Sequence, residues 1–115
     1  MRFDFSNTKI FIRPGTTDMR TAKEELLHVI KDLMKSDPFS GAAFLFCNSQ
    51  RKILKMLWWD KNGFWTAQKT LEKGRWPWPD TLEQVRELDM EKVEMLLRGI
   101  DFFQEHEELN YSRFD

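Results

Sequence analysis

Two runs of β-type residues, KILKMLWW (52–59) and FWTAQKTL (64–71), flank the tetrapeptide Asp60-Lys61-Asn62-Gly63. Aromatic and β-branched side chains favour strands, and Asn-Gly accepts the positive φ of a tight hairpin turn. The spacing therefore predicts an antiparallel hairpin. With a two- or four-residue loop, paired positions sum to an odd number, which fixes the two faces. One carries Ile53, Lys55, Leu57, Trp59, Phe64, Thr66, Gln68 and Thr70, and reads as mixed. The other carries Leu54, Met56, Trp58, Trp65, Ala67 and Leu71, with Lys52 and Lys69 toward the open end, and reads as core. Trp58 and Trp65 are accordingly expected inside. A three-residue loop with a bulge would exchange the faces, because side-chain direction alternates with every residue.

The hairpin extends backward. AAFLFC (42–47) is apolar at both parities, as suits a strand covered on both sides, and NSQR turns the chain into the hairpin. TKIFI (8–12) is a further short β run, stopped by Arg13-Pro14-Gly15. Thr17 or Asp18 can then cap a helix. Met19, Ala22, Leu26, Val29, Ile30 and Leu33 recur at helical spacing to about residue 35, with Lys23, Glu24, Lys31 and Lys35 outside the stripe. SDPFSG (36–41) reads as a loop. Near the other end, Asp89 suits the N-cap of a helix through Arg98, with Gly99 at its C′ position. The expected fold is α+β: a small antiparallel sheet, an N-terminal strand plus a three-stranded meander, packed by an N-terminal and a C-terminal helix. Residues 1–102 form the expected single domain, and 103–115 an acidic C-terminal tail.

A chain of 115 residues suits one domain with a real core. Cys47 is its one cysteine, so no internal disulfide can form and a reducing cytoplasm is the simplest compartment. The N-terminal stretch has no apolar run of signal-peptide length, and no run approaches membrane-spanning length. The net charge of −1 hides a strong asymmetry. Residues 1–49 carry seven basic and six acidic side chains, 50–78 seven and two, and 79–115 four and eleven. A basic centre beside an acidic end suits a polyanion-binding patch, an intramolecular contact, or solvated faces with no partner.

Catalytic patterns are absent. His28 and His106 are the only histidines, and there is no HExxH, paired CxxC, GxSxG or GxxxxGK[ST]. Cys47 closes an apolar strand, where a cysteine packs as a small hydrophobe. Carboxylates crowd into the last 37 residues rather than onto the predicted strands, where metal chemistry would need them held rigidly. No enzymatic activity, metal ion, cofactor, membrane or small-molecule substrate is expected. Binding patterns are richer. From Arg51 to Trp78, cations alternate with aromatics, the pairing with which nucleic-acid surfaces hold phosphates and stack bases. Lys55, Trp59, Phe64, Lys69, Lys73, Arg75 and Trp76 are the candidate nucleic-acid contacts. The segment EKGRWPWP (72–79) excludes helix, since each proline removes a donor and fixes its φ. It suits a stiff arm presenting indoles beside cations to DNA, an arm docked on a protein partner, or a lace from the meander to the next helix with both tryptophans buried.

The run KMLWWDKNGFWTAQKTLEKGRWPWP resembles the signature of the small accessory protein family called TnpB, or Orf2, of bacterial insertion sequences of the IS sixty-six type. FIRPGTTDMR, DPFSGAAFLF and LDMEKVEMLLRGIDF resemble other parts of that family in the same order, over about residues 8–102. The family-like positions are Asp18, Arg20, Lys55, Trp59, Asp60, Gly63, Lys69, Leu71, Lys73, Gly74, Arg75 and Pro79. Trp58 and Trp76 stand where the family often has another aromatic. The resemblance implies a role in transposition beside a separate, larger transposase that performs strand transfer. It implies no kinship with the RNA-guided nuclease that shares the name TnpB. On this reading the partners are the transposase and DNA, with Trp76, Trp78 and Arg20 as candidate contacts to the transposase. The alternative is an adaptor for the transposase with no DNA contact.

Overall fold

A computed structural model of the chain describes residues 8–86. Strands β1 (Ile10–Ile12), β2 (Ala43–Cys47), β3 (Ile53–Asp60) and β4 (Gly63–Thr70) form one sheet in the order β1-β2-β3-β4. Helix α1 (Lys23–His28) runs into a π-helical segment, Val29–Leu33, and a short helix α2 spans Leu82–Arg86.

The hairpin pairs without interruption from Ile53↔Thr70 to Asp60↔Gly63, an odd-sum register that gives the two faces expected from spacing. Its turn uses different chemistry. Lys61, at φ 55°, takes the left-handed conformation expected of Asn62-Gly63, and the Asn62 N–H donates to the Asp60 carbonyl at 2.5 Å. The reversal is completed in the two residues Lys61 and Asn62.

The sheet is mixed rather than antiparallel. β2 pairs antiparallel with β3, but β1 pairs parallel with β2, Phe11 opposite Phe44. The cause lies in the element order. After β1 the chain crosses the sheet through α1 and returns to the same end before β2, and such a crossover leaves adjacent strands parallel.

β2 is buried along its whole length, so its alternate side chains feed two cores. On the α1 face, Phe44, Phe46 and Leu57 pack with Leu26, Ile30 and Ala42. On the other, Ala43, Leu45, Cys47, Leu54, Met56 and Trp58 pack with Trp76 and Trp78. The helix departs from its expected form at both ends. Thr17 and Asp18 precede it: the Thr17 N–H donates to the Cys47 carbonyl, and the helix is capped at Ala22 without a side-chain bond. Its second half widens, with the Met34 N–H reaching the Val29 carbonyl five residues back. The extra residue per turn shifts the apolar stripe. Leu33, expected inside, is 68% exposed, and Met34 packs against the core in its stead.

The segment after β4 is a lace, not a free arm. Trp76 and Trp78 are buried, which overturns the expectation that they are presented to DNA or to a protein. The Trp76 N–H donates to the Arg51 carbonyl at 2.7 Å, and the Trp78 indole N–H to the Arg13 carbonyl at 2.9 Å. The Gly15 N–H in turn donates to the Pro79 carbonyl, and the Arg51 guanidinium pairs with the Asp80 carboxylate. Among the described residues, the lace covers the open end of the hairpin and does not reach its turn end. Trp65, expected in the core with Trp58, is therefore 37% exposed, stacked on Trp58 at 6.2 Å with its indole N–H on the Asp60 carboxylate. Beyond the lace, the Thr81 hydroxyl accepts the Gln84 N–H while the Gln84 side chain accepts the Thr81 N–H. This capping box starts α2. The helix read from Asp89 to Arg98 and the tail 103–115 lie outside the described residues.

Burial of the lace sets its cost of mutation. Trp76→Ala or Trp78→Ala should each destabilise the domain by about 3–5 kcal/mol in urea unfolding, as large core truncations do. The phenylalanine variants should differ. Trp78→Phe strands the Arg13 carbonyl, whereas the Trp76 indole N–H has no partner among the described residues. Trp78→Phe should thus cost about 1 kcal/mol more than Trp76→Phe. Equal costs would contradict the assigned bond.

Burial also raises the Cys47 thiol to about 11, with the Arg51 guanidinium opposing the shift. Cys47 should resist thiol reagents at pH 8 until the protein is unfolded, since the thiolate is the reactive form.

Candidate nucleic-acid interface

The seven expected contact residues do not share one surface. Lys55, Trp59 and Phe64 lie on the α1 face of the hairpin. Lys69 and Trp76 lie on the opposite face, and Lys73 and Arg75 stand exposed in the connection after β4.

On the α1 face the register sets Trp59 directly opposite Phe64. Their ring centroids are 5.0 Å apart in an edge-to-face arrangement. A third ring completes the cluster: Phe39 lies 5.1 Å from Trp59 and 5.4 Å from Phe64. Phe39 reaches there because Asp37 builds a local turn, its carboxylate accepting the Phe39 N–H at 2.9 Å. Phe39 is 56% exposed, while Trp59 and Phe64 are half-buried. From α1, the Lys23 ammonium stands 5.8 Å from the Phe64 centroid, within cation–π range. Lys55 sits two pairs up the hairpin from Leu57↔Thr66 toward its open end, half-buried opposite Gln68. Its Cα is thus about 13 Å along the strand from that of Trp59 at the usual strand rise.

Two members of this cluster escaped the sequence reading. Phe39 stood in a loop, marked only by an aromatic side chain in an otherwise polar turn. Lys23 lay outside the helical stripe, and nothing local signals its approach to Phe64.

The opposite face is a packed surface at its open end. The Lys69 ammonium lies 5.6 Å from the Trp76 centroid, and partial burial lowers its pKa. Trp76 and Trp78 contribute no accessible ring. Lys73 and Arg75, by contrast, flank Gly74, whose φ of 77° turns the chain back toward the sheet and leaves both cations in solvent. Among the described residues, no group of three or more His, Cys, Asp or Glu side chains could hold a metal ion, and no helix is long and apolar enough to cross a membrane.

Asp18 and Arg20 form a self-contained unit. The Asp18 carboxylate accepts the Arg20 backbone N–H at 2.8 Å and the guanidinium at 2.8 and 3.1 Å. The side-chain and backbone bonds from Arg20 hold the Asp18 carboxyl down at about 2. A depressed carboxylate pKa adds stability above its ordinary value and loses it as pH falls through the native one. The turn should therefore hold from neutral pH to below pH 4 and open near pH 2. Side-chain carbon NMR should find Asp18 titrating near 2, and Arg20→Ala should return it toward 3.8. An unmoved titration in the variant would remove Arg20 as the cause.

Comparison with known proteins adds ancestry to this geometry. The family model described as IS66 Orf2 like protein matches residues 8–107, reaching past residue 102, where the sequence resemblance had ended. Uncharacterized protein y4hO of Sinorhizobium fredii is 30% identical over 96 residues, 84% of each chain. Uncharacterized protein y4jC of the same organism is 23% identical over 94 residues, 82% of this chain and 80% of that protein. No solved structure matches. The hairpin, its turn and the Trp-Pro lace all lie within the matched span, and the chain belongs to the IS66 Orf2-like family, an accessory family associated with insertion-sequence transposition.

Proposed function

We propose that this protein serves transposition as a DNA-binding accessory factor, using the α1 face of the hairpin together with the exposed cations after β4. The observation that carries this reading is the half-exposed Phe39–Trp59–Phe64 cluster with Lys23 against it and Lys55 on the same face. Rings offer π-surfaces to bases, and ammonium groups offer countercharge to phosphates. Lys73 and Arg75, exposed in the connection after β4, would add countercharge for the backbone. The remaining side chains of this face, Thr66, Gln68 and Thr70, are exposed neutral hydrogen-bonding groups. Such a surface binds and orients. The chemistry of strand transfer belongs to a separate transposase in this reading.

A second reading is an adaptor that contacts the transposase alone. Its support is the exposure of two large apolar side chains, Leu33 at 68% and Phe39 at 56%, since exposed apolar surface suits a protein partner. Docking through Trp76 and Trp78 plays no part in it, because those rings are in the core.

Salt dependence separates the two. Binding to labelled DNA should weaken linearly in log–log salt, by about 0.7–0.9 in slope per phosphate contacted. Lys55→Ala, and Lys73→Ala with Arg75→Ala, should each lower that slope. Trp59→Ala should weaken binding by about 1–3 kcal/mol with the slope unchanged, as loss of a stacking platform does. No binding at low salt, or variants that leave both affinity and slope intact, would overturn the DNA reading. Loss of transposase co-purification on Phe39→Ala would then favour the adaptor.

A further inference from the structure

Strand β4 ends the sheet, and among the described residues no strand lies on its outer side. The Leu71 N–H donates to the Lys52 carbonyl. Because hydrogen-bonded and non-bonded pairs alternate in an antiparallel ladder, odd-numbered residues of β4 bond to β3. The N–H and C=O groups of Phe64, Thr66, Gln68 and Thr70 therefore point outward, four consecutive sites for another strand.

Natural edges are guarded by bulges, prolines, short length or outward charge. β4 is eight residues long, has no proline, and keeps one-to-one register throughout. Its one charge, Lys69, belongs to the face opposite α1, where its ammonium lies over Trp76. Among the described residues, the edge is thus long, unbroken by a bulge or proline, and without a further strand beside it.

We propose that β4 pairs antiparallel with β4 of a second copy about a two-fold axis at Ala67, joining two four-stranded sheets into one of eight. This register alone engages all four outward residues: Thr66 bonds Gln68 of the second copy and Phe64 bonds Thr70, each twice by symmetry. On the α1 face, hydroxyl meets amide. On the other face, Ala67 meets its own copy with no steric demand, and Lys69 falls opposite Trp65 of the second copy. That pairing lays a cationic side chain against an indole, a complementary contact, and covers the ring that the lace leaves 37% exposed. Shifting the axis to residue 69 would set Lys69 against Lys69, and a shift to residue 66 would leave Thr70 unpaired.

Sedimentation of the full chain at fixed salt tests both the contact and its register. The unaltered protein should be a dimer. Thr66→Lys with Gln68→Lys sets lysines opposite one another at two symmetric pairs and should yield monomer. Thr66→Lys with Gln68→Glu changes the same two exposed positions but sets lysine opposite glutamate, and should restore the dimer. Its recovery also shows that substitution at these sites leaves the fold intact. A monomeric unaltered protein, a dimer that survives the double lysine change, or a charge-matched variant that stays monomeric would each overturn the proposal.

Discussion

Packing of Trp76 and Trp78 against the sheet is the interaction on which the rest of the structure depends. A four-stranded sheet this small has two apolar faces, and the helix covers only one. Among the described residues, it is the segment after β4 that covers the second face. Each buried indole removes roughly 150–250 Å² from water, worth about 5 kcal/mol at ordinary transfer coefficients. A domain's net stability is only about 5–15 kcal/mol, so neither ring is dispensable. Pro77 between them and Pro79 after them serve the same end, since a chain with preset φ loses less freedom on ordering.

The lace also joins parts of the chain that share no ladder bond with it. Its backbone is tied to the β2–β3 turn at Arg51 and to the turn after β1 at Gly15, while the Trp78 side chain reaches Arg13. The turns at both ends of the sequence-distant strands are thereby fixed by one segment. By occupying the face opposite α1, the lace assigns the accessible aromatics to the α1 side and the hairpin turn. Among the described residues, the proposed DNA-binding face and the outer edge of β4 are what the lace leaves uncovered.

Much of this was legible in local pattern. The hairpin faces followed from residue parity, and β2 was readable as doubly covered because AAFLFC is apolar at every position. Other features were misread for identifiable reasons. The parallel pairing of β1 and β2 was implicit in the strand–helix–strand order, but a three-residue strand gave little weight to a crossover. Leu33 fit a helical stripe of constant period, and the π-helical widening that expels it follows from packing rather than from spacing. The helix start at Leu82 carries a local signal of its own, the capping box of Thr81 with Gln84.

Local sequence determined which segments extend, where the chain turns, and which strand residues share a face, because these depend on backbone sterics and the alternation of neighbours. It also determined membership in a transposition-associated family, through motifs kept in order along the chain. Tertiary structure alone decided which aromatics are covered. A tryptophan beside prolines and cations has the same composition whether it faces water or a core. Its fate depends on whether a distant apolar surface needs a cover, and here the open face of the sheet did.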